Sequence, residues 1–194
     1  LIALGIVMVF SASTPAAKNQ FDNIYHYLTQ QLIAFGVGFI AMIAASYVNY
    51  NVYKKAGWFI FGGALALIII VLIPGIGTVY NNARRWITIG GFDLQPSEIY
   101  KFAIIVLFSK LMSEDKIKTG RFFRGYLLYI AILAVSAVLL ISEPHLSGTI
   151  IVLSIGFILL FAGGAKLWHL LVTIVPGAAG IAYVAMYTEY MRER

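Results

Sequence analysis

Long apolar runs alternate with short polar breaks along the whole chain. Each run comes close to the roughly 20 residues that a helix needs to cross a hydrocarbon core. The pattern predicts seven segments. Leu1 to about Ser13 is the first, followed by a polar connection, Thr14 to Tyr27. The second runs from about Leu28 to Val48 and the third from Gly57 to about Ile73, with Asn49 to Ala56 as a loop between them. After the loop Ile76 to Gln95, the fourth covers Pro96 to about Met112. The break Ser113 to Gly125 leads to the fifth, Tyr126 to Ser142, and a turn Glu143 to Thr149 separates it from the sixth, Ile150 to about Ala162. Gly163 to His169 forms a tight turn. The seventh spans Leu170 to about Tyr187 and contains Pro176-Gly177, a pair able to kink a helix. No internal repeat or low-complexity linker divides the chain, so residues 1–194 read as one domain.

Composition turns these segments into membrane spans. Of 194 residues, 61% are hydrophobic and only 11% charged, and the mean hydropathy is +0.88, whereas soluble domains carry about 25% charged residues. The expected class is an all-α, polytopic integral membrane protein. With no cysteine, disulfides and thiolate metal sites are excluded. Leu1 is not an initiator methionine, and the first run is too short to span alone. The expectation is a fragment that starts inside its first helix, with no signal peptide.

Charge then orients the segments. The connections after segments two, four and six hold Lys54, Lys55, Lys110, Lys116, Lys118, Arg121, Arg124 and Lys166 against only Glu114 and Asp115. On the opposite side Lys18, Arg84, Arg85, Lys101, Arg192 and Arg194 are balanced by Asp22, Asp93, Glu98, Glu143, Glu189 and Glu193. The whole formal charge of +6 lies on one side, which places that side in the cytoplasm. Basic residues here encode topology, not nucleic-acid binding.

The outer side carries the chemistry. Ala83 to Lys101 holds five charged groups in nineteen residues, between two apolar runs. Pro96, Ser97 and Glu98 suit a helix start. Glu98 and Lys101, three apart, fall on one helical face and can pair. Lys101 lies about one turn inside an apolar segment, where an unpaired charge costs at least ~2.5–3.5 kcal/mol, so the pairing is expected. Two readings stand side by side. In one, Arg84, Arg85, Glu98 and Lys101 are an ion-pair network that pins a loop to helix four. In the other, they are an anion site for a lipid-linked phosphate or diphosphate, the arginines offering bidentate forks and the lysine a compact charge.

A second group lies on the same side, at the helix-breaking Glu143-Pro144-His145-Leu146-Ser147-Gly148-Thr149. His145 is read either as a satisfied interfacial residue or as a phosphate contact or proton relay. His26 and His169 fall in other loops, so the three histidines form no metal site. Tyr25, Tyr27, Trp58 and Trp168 read as an aromatic belt.

These two groups, in this order, resemble the SEDS family (shape, elongation, division and sporulation), the group that includes RodA, FtsW and the sporulation protein SpoVE. The resemblance rests on Ala83-Arg84-Arg85-Trp86, on Gln95-Pro96-Ser97-Glu98 with Lys101 three residues later, on Glu143 to Thr149, and on the opening Leu4 to Ser13. It covers essentially the whole chain and implies the first seven of ten membrane segments. It also implies a peptidoglycan glycosyltransferase that polymerises lipid II, uses a divalent metal, and works with a class B penicillin-binding protein at the bacterial cytoplasmic membrane. Arg85, Glu98 and Lys101 match family residues important for function. Two departures matter: His145 stands where the family has Asp, with Ser147 added before Gly148, and the proposed catalytic Asp would lie beyond Arg194. No catalytic base and no metal ligand is therefore assigned within these residues, and Arg84, Arg85, Glu98, Lys101 and His145 are substrate-binding candidates. The Phe10-Ser11-Ala12-Ser13 and Glu143 to Thr149 forms favour the division or sporulation branch over elongation. A lipid II transporter and a non-catalytic division scaffold are the rival readings.

Overall fold

A computed structural model describes residues 2–21, 24–73, 77–80, 83–89, 92–114, 122–143 and 146–187. Among the described residues the order is α1 (Ile2–Phe21), α2 (His26–Tyr47), α3 (Tyr50–Leu72), β1 (Thr78–Tyr80), β2 (Ala83–Ile89), β3 (Phe92–Leu94), α4 (Pro96–Ser113), α5 (Leu127–Ser142), α6 (Leu146–Ala162) and α7 (Leu167–Tyr187). A π-helical turn, Phe122–Tyr126, leads into α5. The chain forms two compact units, residues 1–50 and 51–194.

In the first unit α1 and α2 pack together, and the ring of Phe10 stacks on Tyr25 at 5.8 Å. The rest of α2 is exposed and apolar around its circumference, including Val37, Phe39 and Ile40. A helix apolar all round has no reason to face water, and in lipid its backbone groups are satisfied within the helix.

In the second unit α4 is the core helix. Tyr100, Ala103, Ile104, Leu107 and Phe108 expose nothing. Phe61, Ala64 and Ile68 of α3 join the same apolar cluster, and α6 packs on both α4 and α5. Gly156 sets the α5–α6 approach: a Cβ there would run into the Leu133 side chain, the role small residues take between membrane helices. Inside the cluster the Tyr100 hydroxyl donates to Ser136 Oγ at 2.6 Å, and Ser136 donates on to the Ile132 carbonyl at 2.6 Å. The outward faces are apolar again, with Phe59 84%, Ile158 66% and Val138 65% exposed. Burial inside and apolar surface outside make this an all-α membrane architecture.

Several boundaries differ from the sequence expectation. The connection predicted over Thr14 to Tyr27 is helical as far as Phe21. Thr14 caps no end there; its hydroxyl folds back onto the Phe10 carbonyl at 2.6 Å. From Tyr50 onward the loop predicted at Asn49 to Ala56 is the first two turns of α3, so Lys54 and Lys55 ride on a helix. Helix α6 begins at Leu146, four residues early, so Leu146 to Thr149 form its first turn. Helix α7 begins at Leu167, and Gly164 takes the left-handed φ of 85° that its turn needs. In each case a helix continues past the apolar run, because polar side chains are tolerated where it leaves the hydrocarbon. The loop expected from Ile76 to Gln95 holds the antiparallel sheet β1-β2-β3.

Candidate functional site

The sheet positions the arginines. Strand β2 pairs with β1 (Val79 opposite Arg84, Tyr80 opposite Ala83) and with β3 (Ile87 opposite Leu94, Thr88 opposite Asp93). A hydroxyl chain crosses all three strands: Thr78 Oγ1 lies 2.9 Å from Thr88 Oγ1, which donates to Asp93 Oδ1 at 2.6 Å. Thr88 spends its single proton on Asp93, so Thr78 donates to Thr88, and the Asp93 carboxylate is engaged by the sheet. Because successive strand residues point to opposite faces, Arg84 and Arg85 diverge. Arg84 is exposed, whereas Arg85 is half-buried and its Nε donates to the Glu143 carbonyl at 3.3 Å. That carbonyl closes the C-terminal end of α5, the negative end of its dipole.

Strand β2 also lies against α4. At the start of α4, Pro96 takes the first turn and Ser97 is buried with its Oγ unpartnered among the described residues. Lys101 Nζ meets Glu98 Oε2 at 2.6 Å, the pair expected from their spacing. The Lys101 side chain is 21% exposed and that of Glu98 58%, so the carboxylate faces water and the ammonium sits deeper.

Glu143 was missed as a candidate by sequence reasoning. It is fully buried, and neither carboxylate oxygen has a hydrogen-bond partner among the described residues. It follows the last residue of α5, outside the spanning segment. Burial pushes its carboxyl up from 4.5 to about 7, and the nearby Arg85 charge acts in the opposite direction. An acid group directly after sixteen residues of apolar helix was the available signal.

The structure thus joins Arg85 to the Glu143 backbone and Lys101 to Glu98, on elements that touch through β2 and α4. Arg84 stands apart in solvent. His145 lies outside the described residues. Among the described residues no three His, Asp or Glu side chains are grouped to hold a metal, and no step is assigned to one.

Comparison with known proteins covers the whole chain. The family model described as "Cell cycle protein", FTSW_RODA_SPOVE, matches residues 1–194. A protein of Geobacter sp. named "Probable peptidoglycan glycosyltransferase FtsW" is 32% identical over all of the chain and 53% of its own length. "Stage V sporulation protein E" of Bacillus subtilis is 29% identical over all of the chain and 53% of its own length. The chain therefore spans about half the length of the curated relatives it matches. Among solved structures, a peptidoglycan synthase complex described as coordinating polymerization and crosslinking superposes with a TM-score of 0.72 at 25% identity, over 98% of this chain and 57% of that one. The rod shape determining protein RodA of Thermus thermophilus gives 0.68 at 23% identity, over 93% of this chain and 58% of that one, and shows the fold.

Proposed function

Since the chain belongs to the FtsW/RodA/SpoVE family of cell cycle proteins, we propose that the whole protein is a peptidoglycan glycosyltransferase. It polymerises lipid II at the outer face of the bacterial cytoplasmic membrane, with a class B penicillin-binding protein as partner. The observation that carries the site reading is Lys101, a cation at the edge of the apolar core held by a carboxylate that itself faces water. In that arrangement Glu98 orients Lys101 before substrate arrives, and the lipid diphosphate takes over the pairing when it binds. Arg85 is oriented by the α5 terminus, so its position is set before binding as well. A diphosphate bridging the start of α4 and strand β2 would meet both cations while its lipid tail stayed in the bilayer. Orientation and charge neutralisation are what these residues supply to a displacement at the sugar carbon. The base for the attacking hydroxyl is not assigned to any described residue.

Replacing Arg85 or Lys101 by Ala in the full-length protein tests this reading. A lost charge-assisted hydrogen bond is worth about 1.5–3 kcal/mol, so lipid II polymerisation should fall roughly tenfold to a hundredfold while insertion and accumulation are unchanged. Wild-type rates in both variants would show that the cations are structural.

A further inference from the structure

On the opposite end of the second unit, three lysines converge on one cavity. Asn51, Lys54 and Lys55 of α3, Lys110 of α4 and the adjoining Glu114 line a space of about 380 Å³. Lys54 and Lys55 lie in the first two turns of α3, and Lys110 in the last turn of α4. They come together because the start of α3 meets the end of α4, Gly57 against Lys110.

The convergence is built by a glycine. Gly57 is buried, and a Cβ at that position would lie 2.9 Å from Lys110 Cδ and 3.5 Å from its Cβ. The aliphatic stem of Lys110 therefore crosses α3 in the gap left by the missing side chain, and its ammonium joins the two lysines of the neighbouring helix. The compensation is incomplete: only Glu114 adds a negative charge to the lining, and among the described residues none of the three lysines is within ion-pair distance of a carboxylate. The first turn of α3 contains no acid.

The surroundings specify the shape of the missing anion. Directly along α3 from the lysines, Val52, Trp58 and Phe59 are 54%, 47% and 84% exposed. A charged pocket thus opens onto an apolar helix face flanked by interfacial aromatics, at the end of the bundle that charge asymmetry assigns to the cytoplasm. A free anion would have no use for that apolar face. An amphipathic one would lay its head on the lysines and its chains along α3.

We propose that Lys54, Lys55 and Lys110 form a binding site for the phosphodiester headgroup of an anionic phospholipid of the inner leaflet, on the face opposite the polymerisation site. Basic pockets between membrane helices take such headgroups, and each lysine near the surface contributes about 1 kcal/mol.

The test uses the full-length protein in nanodiscs of zwitterionic lipid doped with phosphatidylglycerol, with native mass spectrometry counting retained lipid. At that energy per lysine, Lys54→Gln and Lys110→Gln should each weaken retention about fivefold, and the triple variant about a hundredfold. Gly57→Ala keeps every charge but obstructs the Lys110 stem, so it should match Lys110→Gln. Lys166→Gln, on the same side but outside the cavity, should change little. Equal losses for Lys166→Gln and Lys54→Gln would reduce the effect to diffuse surface attraction and overturn the site. Full retention in Gly57→Ala would overturn its geometry, and displacement of the lipid by millimolar inorganic phosphate would assign the pocket to a soluble anion instead. The exposed single variants keep the test readable if the triple variant does not fold.

Discussion

Glu143 offers the sharpest quantitative test, because its buried carboxylate has no hydrogen-bond partner among the described residues while an ordinary carboxyl ionises near 4.5. In the folded chain it holds its proton up to about pH 7. Below 4.5 both folded and unfolded states are protonated and the group makes no difference. As pH rises from 4.5 to 7, the unfolded chain gives up the proton and the folded chain keeps it, so stability falls. Above 7 the loss is complete. At 1.36 kcal/mol per pKa unit, this single residue should cost about 3 kcal/mol over that window. Glu143→Gln keeps the shape and removes the titration. The measurement is the unfolding transition of the full-length protein in detergent, followed by tryptophan fluorescence from pH 4.5 to 8, with the variant's curve subtracted from the wild type. Contributions common to both proteins cancel in the subtraction. The difference should drop steadily and level off near neutrality. Arg85→Ala removes the neighbouring charge that favours ionisation, so the drop should extend to higher pH. A flat difference between pH 5 and 8 would mean that Glu143 is solvated or paired, and the burial argument would fail.

Two further tests address the helices. With Glu98 58% exposed, Glu98→Ala should cost about 1 kcal/mol or less of stability, well under the 3–5 kcal/mol of a fully buried pair. The exchange Glu98→Lys with Lys101→Glu should melt close to wild type yet remain inactive in lipid II polymerisation; recovered activity would make the pair a structural clip. At the α5–α6 contact, Gly156→Val pushes into Leu133 and should destabilise by about 1–3 kcal/mol, and an unchanged melting temperature would refute the close packing.

Much of this architecture could be read from periodicity, because lipid imposes long apolar runs that few other environments produce. The Glu98–Lys101 pair was legible for the same reason: once Pro96 starts a helix, three residues bring the side chains together. The sheet was not. Two of its strands are three residues long, and their short alternation is lost among Gly90, Gly91, Asn81 and Asn82. Nor could Ala83-Arg84-Arg85-Trp86 reveal that adjacent arginines point apart, since that depends on strand rather than loop backbone. The burial of Glu143 and the passage of Lys110 over Gly57 arise where separate elements meet, and nothing local to either residue announces them.

The burial of α4 has a mechanical consequence. The helix that carries Glu98 and Lys101 is also the one most completely enclosed by its neighbours, so its opening requires disrupting the whole second unit. The amides of α4 should therefore exchange more slowly than those of the small sheet, a difference that hydrogen-exchange measurement would read. Of the two proposed phosphate contacts, Lys101 is therefore mounted on a fixed post, and Arg85 on a strand tied to the end of α5 by its own side chain. The helix supplies the reference point for substrate, and that bond sets the strand beside it.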